Sequence, residues 1–210
     1  MTRVLLIRHG QTQWNREQIF RGRADIPLSE AGLRQSEALA TRLAGEVLAA
    51  IYSSPLKRAC VTAEHLGPRC RSDPRVLESL TDISYGEWEG QHHQQVQQRY
   101  PELYAQWMAE PHLVRLPDGE TLAEVRQRAV AALDHIIAKH PGDTVAVVSH
   151  RVVNKVLLCA ALGLGDDAFW RIRQDTCCLN VMEHDGTGLS VCLLNDTCHL
   201  GGLEKDAADF

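Results

Sequence analysis

Two histidines each follow a short apolar run, and each of them has an arginine as a direct neighbour in the sequence. His9 comes after Val4–Ile7 and Arg8, and His150 comes after Val145–Ser149. Short runs rich in valine, leucine and isoleucine predict buried strands. In open α/β sheets, ligands bind outside the carboxyl ends of the strands. Two imidazole rings at two such ends are therefore expected to meet in one site.

Two arginines add positive charge to this expected site. Arg8 directly precedes His9, and Ser54-Pro55 has the cap-then-proline order of a helix start. Arg58 then falls in the first turn of that helix, where the helix dipole adds positive potential. Guanidinium forks match phosphate oxygens. No metal-ligand spacing such as HExxH is present, so arginines would have to neutralise the charge of a bound phosphate themselves. We expect no metal and no cofactor.

Hydrophobic patterns typical of helices and of strands alternate along the chain and predict the elements that must position these groups. The predicted elements are a helix from Ser29 to about Leu48, a strand at Ala49–Ser53, an amphipathic helix at Thr121–His140, a buried helix at Val152–Leu162 and a hairpin of Leu179–Glu183 with Leu189–Leu194. This order favours an α/β fold, with a three-layer α/β/α arrangement around a mostly parallel sheet. Residues 86–117 break the alternation, and short helical patterns around Val96 and Trp107 predict a small helical cap insertion. We expect one domain over residues 1–210.

Composition narrows the possible partners. The 210 residues contain 22 Lys and Arg against 27 Asp and Glu, a net charge of −5, which argues against extended nucleic-acid binding. No apolar run approaches the roughly 18–20 residues of a membrane span, and the start is too short for a signal-peptide core. Seven irregularly spaced cysteines favour reduced thiols in a cytoplasmic protein.

Residues 1–24 hold five arginines against Glu17 alone, a local basic region that suits a small phosphorylated metabolite. Whether the protein is a monomer or a homodimer stays open.

Five motifs in order resemble the histidine phosphatase superfamily, which includes the cofactor-dependent phosphoglycerate mutases. Arg8–Asn15 reads RHGQTQWN and resembles the family's RHGxTxWN motif. The other matches are DIPLSEAG at Asp25–Gly32, YSSPLKRA at Tyr52–Ala59, YGEWEG at Tyr85–Gly90 and VVSH at Val147–His150. Together they span residues 3 to about 155. An ordered set of this length is far more specific than the RHG tripeptide alone.

The resemblance implies a role for each matching residue. It makes His9 the nucleophile that forms a phosphohistidine, with its other ring nitrogen held by a backbone carbonyl. It assigns binding and stabilisation of the phosphoryl oxygens to Arg8, Arg58, Asn15 and His150. Substrate contact falls to Arg21, Gly22 and Tyr85. A C-terminal segment that closes on the substrate in some phosphatases of the family is similar to the stretch around His199.

The general acid/base departs from the family pattern. Relatives usually carry a glutamate four residues before the glycine of YGxWEG, and here that position is Asp82. We assign Asp82 as the acid that protonates the leaving alcohol and later activates water. Glu78 and Glu87 are the alternatives.

Positions outside the motifs leave further possibilities open. Arg151 follows His150 directly, which is unusual for the family. Either Arg151 or Arg21 could bind a carboxylate group of the substrate. The adjacent His92 and His93 are candidates for lid contacts or for simple solvation.

The expected reaction is hydrolysis of small phosphomonoesters. Mutases of the family carry a paired-arginine segment in the cap, but between Gly90 and Leu116 this chain has only Arg99 and Arg115. The pattern is similar to metal-independent phosphoserine phosphatases and to broad-specificity and α-ribazole phosphatases. A cofactor-dependent phosphoglycerate mutase is the alternative. A non-catalytic phosphate-binding module is a third hypothesis, which the presence of Arg8, His9, Arg58 and His150 disfavours.

Overall fold

A six-stranded, mostly parallel sheet forms the centre of the structure, a computed structural model that describes residues 1–203. The strands are β1 (Thr2–Arg8), β2 (Ala50–Ser53), β3 (Pro74–Val76), β4 (Thr144–Ser149), β5 (Leu179–His184) and β6 (Leu189–Asp196). Their order is β3-β2-β4-β1-β5-β6. The pairs among β3, β2, β4 and β1 are parallel, while β5 and β6 join as an antiparallel edge. The predicted sheet and hairpin are confirmed.

Seven α-helices are present within the described residues. They are α1 (Gln13–Arg16), α2 (Glu30–Arg42), α3 (Lys57–Cys70), α4 (His93–Arg99), α5 (Pro101–Ala109), α6 (Leu122–Lys139) and α7 (Arg151–Ala161). The side chains of β1 alternate between two cores, as the two-residue period of a strand requires. Val4 and Leu6 pack with α6 and α7, whereas Leu5 and Ile7 pack with α2 and α3. This arrangement is the predicted three-layer α/β/α fold.

Two predicted helix boundaries were wrong. The helix capped by Ser29 ends at Arg42 instead of continuing to Leu48, because the chain turns through Gly45 at a φ of +99°. The helix expected to start at Ser54-Pro55 begins at Lys57, and its N-cap, Leu56, has no side-chain cap. The Ser54 hydroxyl oxygen accepts from the Leu56 N–H at 3.3 Å and has a second contact, described below. The strand β3 was not predicted, since three residues carry too little pattern to be recognised.

Residues 86–117 contain the two short helices α4 and α5, between 3₁₀ turns at Gly86–Trp88 and Pro111–Leu113. Trp88 and Trp107 are fully buried and belong to the same hydrophobic cluster as α6 and α7. In contrast, His92 is exposed. Within residues 1–203, no helix has the length and apolar character needed to cross a membrane.

Candidate active site

The carboxyl ends of β1 and β4 bring the two motif histidines together. These strands are parallel neighbours with Arg8 opposite Ser149, and the backbone N–H of His9 donates to the Ser149 carbonyl at 3.0 Å. The residues that follow these two strands, His9 and His150, therefore lie at the same edge of the sheet. The rings of His9 and His150 lie 5.2 Å apart between centroids, and both residues are buried.

His9 is held as a neutral ring with one defined tautomer. Its Nδ1 lies 2.6 Å from the Gly10 carbonyl oxygen. Because a carbonyl only accepts, Nδ1 must carry the proton, which leaves the lone pair on Nε2. Burial lowers the pKa of His9 well below its usual value, and the charges of Arg58 and Arg8 lower it further. The ring is thus an uncharged potential nucleophile in a positively charged setting.

Arg58 lies in the first turn of α3 and is fully buried. Its guanidinium donates to the carbonyl oxygens of Ala24 and Gly22, each at 2.7 Å, and to Asp82 Oδ2 at 3.2 Å. Burial is the main cause that lowers its pKa to about 10. Arg58 therefore remains a cation at neutral pH and is fixed by bonds to the loop that follows α1.

That loop depends on Gly22 for its path. Gly22 has a φ of +49°, in the left-handed region that favours glycine, and a Cβ there would overlap the carboxylate of Glu89. Oε1 of Glu89 accepts from the backbone N–H groups of Tyr85 at 3.0 Å and Arg23 at 3.1 Å. The loop also carries Arg21, which is buried and whose charge contributes to the lowered pKa of His9.

Asp82 is the carboxylate that the fold brings to these groups. Its Oδ2 lies 3.2 Å from Arg58 Nη2 and 3.6 Å from His150 Nδ1, while Oδ1 accepts from the Ile83 N–H at 3.0 Å. The two alternatives, Glu78 and Glu87, have exposed side chains, and Glu87 contacts Tyr100 and Arg99 instead.

Arg128 on α6 fixes the backbone beside Asp82, a role that sequence reasoning missed. Its guanidinium donates to the carbonyl oxygens of Ser79 at 2.9 Å, Thr81 at 2.6 Å and Asp82 at 3.1 Å. It also binds both carboxylate oxygens of Glu120, at 3.0 and 3.1 Å. One planar fork thus holds the turn that presents Asp82. No local motif marks this arginine, because it stands on an ordinary amphipathic helix.

His150 is the N-cap residue of α7. Its ring contacts a residue that was not among the predicted site residues. Its Nε2 lies 2.7 Å from Ser54 Oγ. Burial lowers the pKa of His150 well below its usual value, with Arg58 as the next cause. The sequence favoured a capping role for Ser54; in the structure its Oγ accepts from the Leu56 N–H at 3.3 Å and also lies against this imidazole.

The remaining predicted residues lie around this centre. Asn15 is buried in α1, and its Oδ1 accepts from the N–H and the hydroxyl of Thr12 at 2.9 and 2.8 Å, which orients the amide. Tyr85 is buried, and its pKa is raised by that burial. The ring of His199 bonds the Cys177 carbonyl at 3.0 Å, and the Cys177 N–H donates to the His9 carbonyl at 3.0 Å. Through this hydrogen bond, His199 contacts the backbone of Cys177, which is itself bonded to the His9 carbonyl.

In the described part of the chain, no three His, Cys, Asp or Glu side chains are grouped as metal ligands. The positive charge of the site comes from Arg8, Arg21 and Arg58, all of which are buried. A dense set of guanidinium groups around a neutral histidine is suited to binding a phosphate dianion and stabilising its transfer.

Comparison with known proteins defines the class. The family model described as histidine phosphatase superfamily (branch 1) matches residues 4–197. The chain is 35% identical over 207 residues to Phosphoserine phosphatase 1 of Hydrogenobacter thermophilus, covering 99% of this chain and 98% of that protein. It is 30% identical over 209 residues to a Yersinia pestis protein named Probable phosphoglycerate mutase GpmB, covering 95% of each. The solved structure of Bacillus stearothermophilus YhfR superposes with a TM-score of 0.91 at 34% identity, covering 95% of this chain and 100% of that one.

The chain therefore belongs to the histidine phosphatase superfamily, as the five motifs indicated. Within it, the protein is a phosphoric monoester hydrolase. Some relatives are longer: in three mycobacterial proteins 37% identical to this chain, the match spans 55% of their length.

Proposed function

We propose that the enzyme hydrolyses small phosphomonoester metabolites without a metal ion, through a phosphohistidine on His9. The observation that carries this proposal is the state of that ring: buried, neutral, pinned at Nδ1 by the Gly10 carbonyl and set beside Arg8 and Arg58. A neutral imidazole with a fixed tautomer is a nucleophile that needs no separate base.

In the first step, His9 Nε2 attacks phosphorus and the bond from phosphorus to the leaving oxygen breaks. Asp82, in its acid form, gives its proton to that oxygen, so an alcohol departs. Arg8, Arg58, Asn15 and the neutral His150 hold the three remaining phosphoryl oxygens, where fixed donors stabilise the charge of the transition state. Arg21, Gly22 and Tyr85 contact the substrate beside them, and His199 supports the segment behind His9.

In the second step, Asp82, now a carboxylate, takes a proton from water, and the oxygen of that water attacks phosphorus. The N–P bond breaks, its electron pair returns to His9 Nε2, and inorganic phosphate leaves. The same carboxyl group thus acts first as acid and then as base. Its contact with Arg58, a proposed phosphate ligand, at 3.2 Å supports a role for this carboxyl group in both steps.

Transfer to water is favoured over transfer to a second phosphoglycerate. The mutase alternative has a relative in its support, but it requires cationic residues in the cap for a second acidic group. In residues 86–117 the two arginines are both occupied at the surface: Arg99 contacts Glu87 at 3.7 Å and Arg115 contacts Glu124 at 2.7 Å. Neither belongs to the site.

The direct test is a panel of small phosphomonoesters assayed in EDTA on wild type and His9→Ala. We expect wild-type turnover to persist in EDTA and to fall at least about a thousandfold in His9→Ala, as for loss of a nucleophile. His135→Ala, an exposed histidine on α6, is the matched control. Activity abolished by EDTA, or retained in His9→Ala, would contradict the proposal. Conversion of 3-phosphoglycerate that requires its bisphosphate primer would identify a mutase.

A further inference from the structure

The hydroxyl group of Ser54 contacts the ring of His150, and the mechanism above gives that hydroxyl no role. Its Oγ lies 2.7 Å from His150 Nε2, and both residues are fully buried. Ser54 directly follows β2 and His150 directly follows β4, so the contact joins the ends of two neighbouring parallel strands. The proton between the two atoms belongs either to the hydroxyl or to Nε2, and these arrangements give His150 opposite properties.

The hydroxyl oxygen of Ser54 already accepts one hydrogen bond from the backbone. The Leu56 N–H donates to it at 3.3 Å. The Ser54 N–H donates to the Val148 carbonyl at 3.1 Å, and its carbonyl accepts from Ser53 Oγ at 2.9 Å, which fixes the residue in place. If Nε2 also donated to Oγ, the buried hydroxyl proton would lack an acceptor among the described hydrogen bonds, which is costly. The hydroxyl therefore donates to Nε2.

The other nitrogen of the ring leads to the same tautomer. His150 Nδ1 lies 3.6 Å from Asp82 Oδ2, and that oxygen accepts from Arg58 Nη2 at 3.2 Å. A lone pair on Nδ1 would face the lone pairs of this oxygen, whereas a proton on Nδ1 faces an acceptor. Burial beside Arg58 also lowers the pKa of His150, so the ring carries a single proton. Two separate contacts thus place that proton on Nδ1.

The Nδ1 proton lies on the side of the ring that faces Asp82, the proposed acid/base. Nδ1 is buried and makes no hydrogen bond within residues 1–203. The centroid of the His150 ring lies 5.2 Å from that of His9, the proposed nucleophile. A buried donor in this position is suited to an oxygen of the phosphoryl group that passes through the site.

We infer that Ser54 is a positioning residue, whose hydroxyl fixes the tautomer of His150 in which Nδ1 donates to a phosphoryl oxygen. This inference rests on the proposed function, which assigns His150 to the phosphoryl group. A neutral imidazole donates from one nitrogen only, so the other tautomer would present a lone pair to a negatively charged oxygen. The two rings are thus set in complementary ways. A carbonyl at Nδ1 leaves Nε2 of His9 free to attack, and a hydroxyl at Nε2 leaves Nδ1 of His150 free to donate.

Nitrogen NMR measures the tautomer directly. Long-range ¹H–¹⁵N correlation spectra distinguish a ring nitrogen that carries a proton from one that does not, and His150→Asn identifies the signals of His150. We expect wild type at neutral pH to have its proton on Nδ1. Ser54→Ala should give a mixture of tautomers, whereas Ser54→Thr, which keeps a hydroxyl, should retain the wild-type form. A proton on Nε2 in wild type, or an unchanged tautomer in Ser54→Ala, would overturn the inference.

Binding of inorganic phosphate tests the consequence for the site. Calorimetric titration in EDTA should give a Kd about tenfold higher for Ser54→Ala than for wild type, as for the loss of one hydrogen bond to a charged group. Ser53→Ala is the matched control, because it also removes a buried hydroxyl, one that bonds a backbone carbonyl instead of His150. Its Kd should stay close to the wild-type value. Equal phosphate affinity in Ser54→Ala and wild type would overturn the inference.

Turnover of a small phosphomonoester gives the third readout. We expect kcat to fall about ten- to a hundredfold in Ser54→Ala, to recover largely in Ser54→Thr and to change little in Ser53→Ala. Should Ser54→Ala fail to fold by circular dichroism, Ser54→Cys, whose thiol is a weak donor of similar size, carries the same expectations. The tautomer and the phosphate affinity are measured without phosphoryl transfer. They therefore support or overturn the role of Ser54 even if His9→Ala retains activity and the proposed reaction fails.

Discussion

Asp82 carries a carboxyl group on a side chain one methylene shorter than the glutamate common at its position in the family. Three carbonyl oxygens of the turn at residues 79–82 are held by Arg128, and the carboxylate reaches Arg58 at 3.2 Å and His150 at 3.6 Å. The carboxyl group of the shorter side chain thus reaches both groups from a turn that Arg128 holds.

Asp82→Asn should lower kcat for alkyl phosphates by about 10²–10⁴-fold, because an amide can neither give nor take the proton. The loss should be smaller for the phosphorylation step with p-nitrophenyl phosphate, whose leaving group departs without a proton. Asp82→Glu should retain substantial activity. Steady-state and single-turnover kinetics measure both effects, with Glu78→Gln and Glu87→Gln as controls. Near-wild-type kcat in Asp82→Asn on alkyl phosphates would remove Asp82 from its role.

Among the elements, α6 contributes Arg128 to the surroundings of Asp82. The helix begins with a capping box, in which Thr121 and Glu124 bond each other's backbone N–H, and it buries one face against the sheet. Arg128 projects from this helix to the Asp82 turn. We assign it as a positioning residue, since it acts through the backbone that carries Asp82.

Arg128→Met should lower kcat more than it raises KM, because the phosphate ligands stay while the acid/base is displaced. The loss of one donor to three carbonyl oxygens should also cost about 1–3 kcal/mol of stability, while Glu120 keeps its contacts with Arg23 and the Ser84 N–H. Arg128→Lys should not restore kcat, since an ammonium lacks the planar fork. Kinetics and urea unfolding measure the two effects. Arg126→Met, a neighbour that pairs with Asp166, is the control. An unchanged kcat would show that the turn holds its place without Arg128.

At the scale of the whole molecule, the fold surrounds two neutral histidines with buried arginines. Burial and the arginine charges lower the pKa of His9 and of His150 well below the usual value. The unfolded chain, by contrast, titrates these rings near about pH 6.5. Below that pH the unfolded state binds more protons than the folded state, so stability must fall as pH falls.

The free energy of unfolding should therefore decrease from about pH 7 to pH 5, with each of the two histidines contributing up to about 1.4 kcal/mol per pH unit. Urea unfolding at a series of pH values measures this slope. His150→Asn should remove one of the two contributions, while His135→Ala, on an exposed position, should change the slope little. A flat profile over this range would mean that the rings are charged in the folded protein.

The fold could be predicted from the sequence because its signals are local. Apolar runs predicted β1 and β4, and Ser29 and Thr121 marked where α2 and α6 begin. The contacts within the candidate site, by contrast, join residues that are far apart in the sequence. The bond from His150 to Ser54 joins residues 96 apart, and the bond from Arg128 to the Asp82 carbonyl joins residues 46 apart. Such pairs arise only when separate elements pack, so neither Ser54 nor Arg128 could be recognised beforehand.

The central claim is that a phosphoryl group passes through His9. Wild type and Asp82→Asn are mixed with a small phosphomonoester in EDTA, quenched within milliseconds in alkali and analysed by mass spectrometry of the protein and its peptides. The account predicts an added phosphoryl group on the peptide containing His9. That group should be stable in alkali, labile in acid, more abundant in Asp82→Asn when p-nitrophenyl phosphate is the donor, and absent from His9→Ala. Turnover with no phosphorylated peptide at any time, or with the group on another residue, would contradict the account.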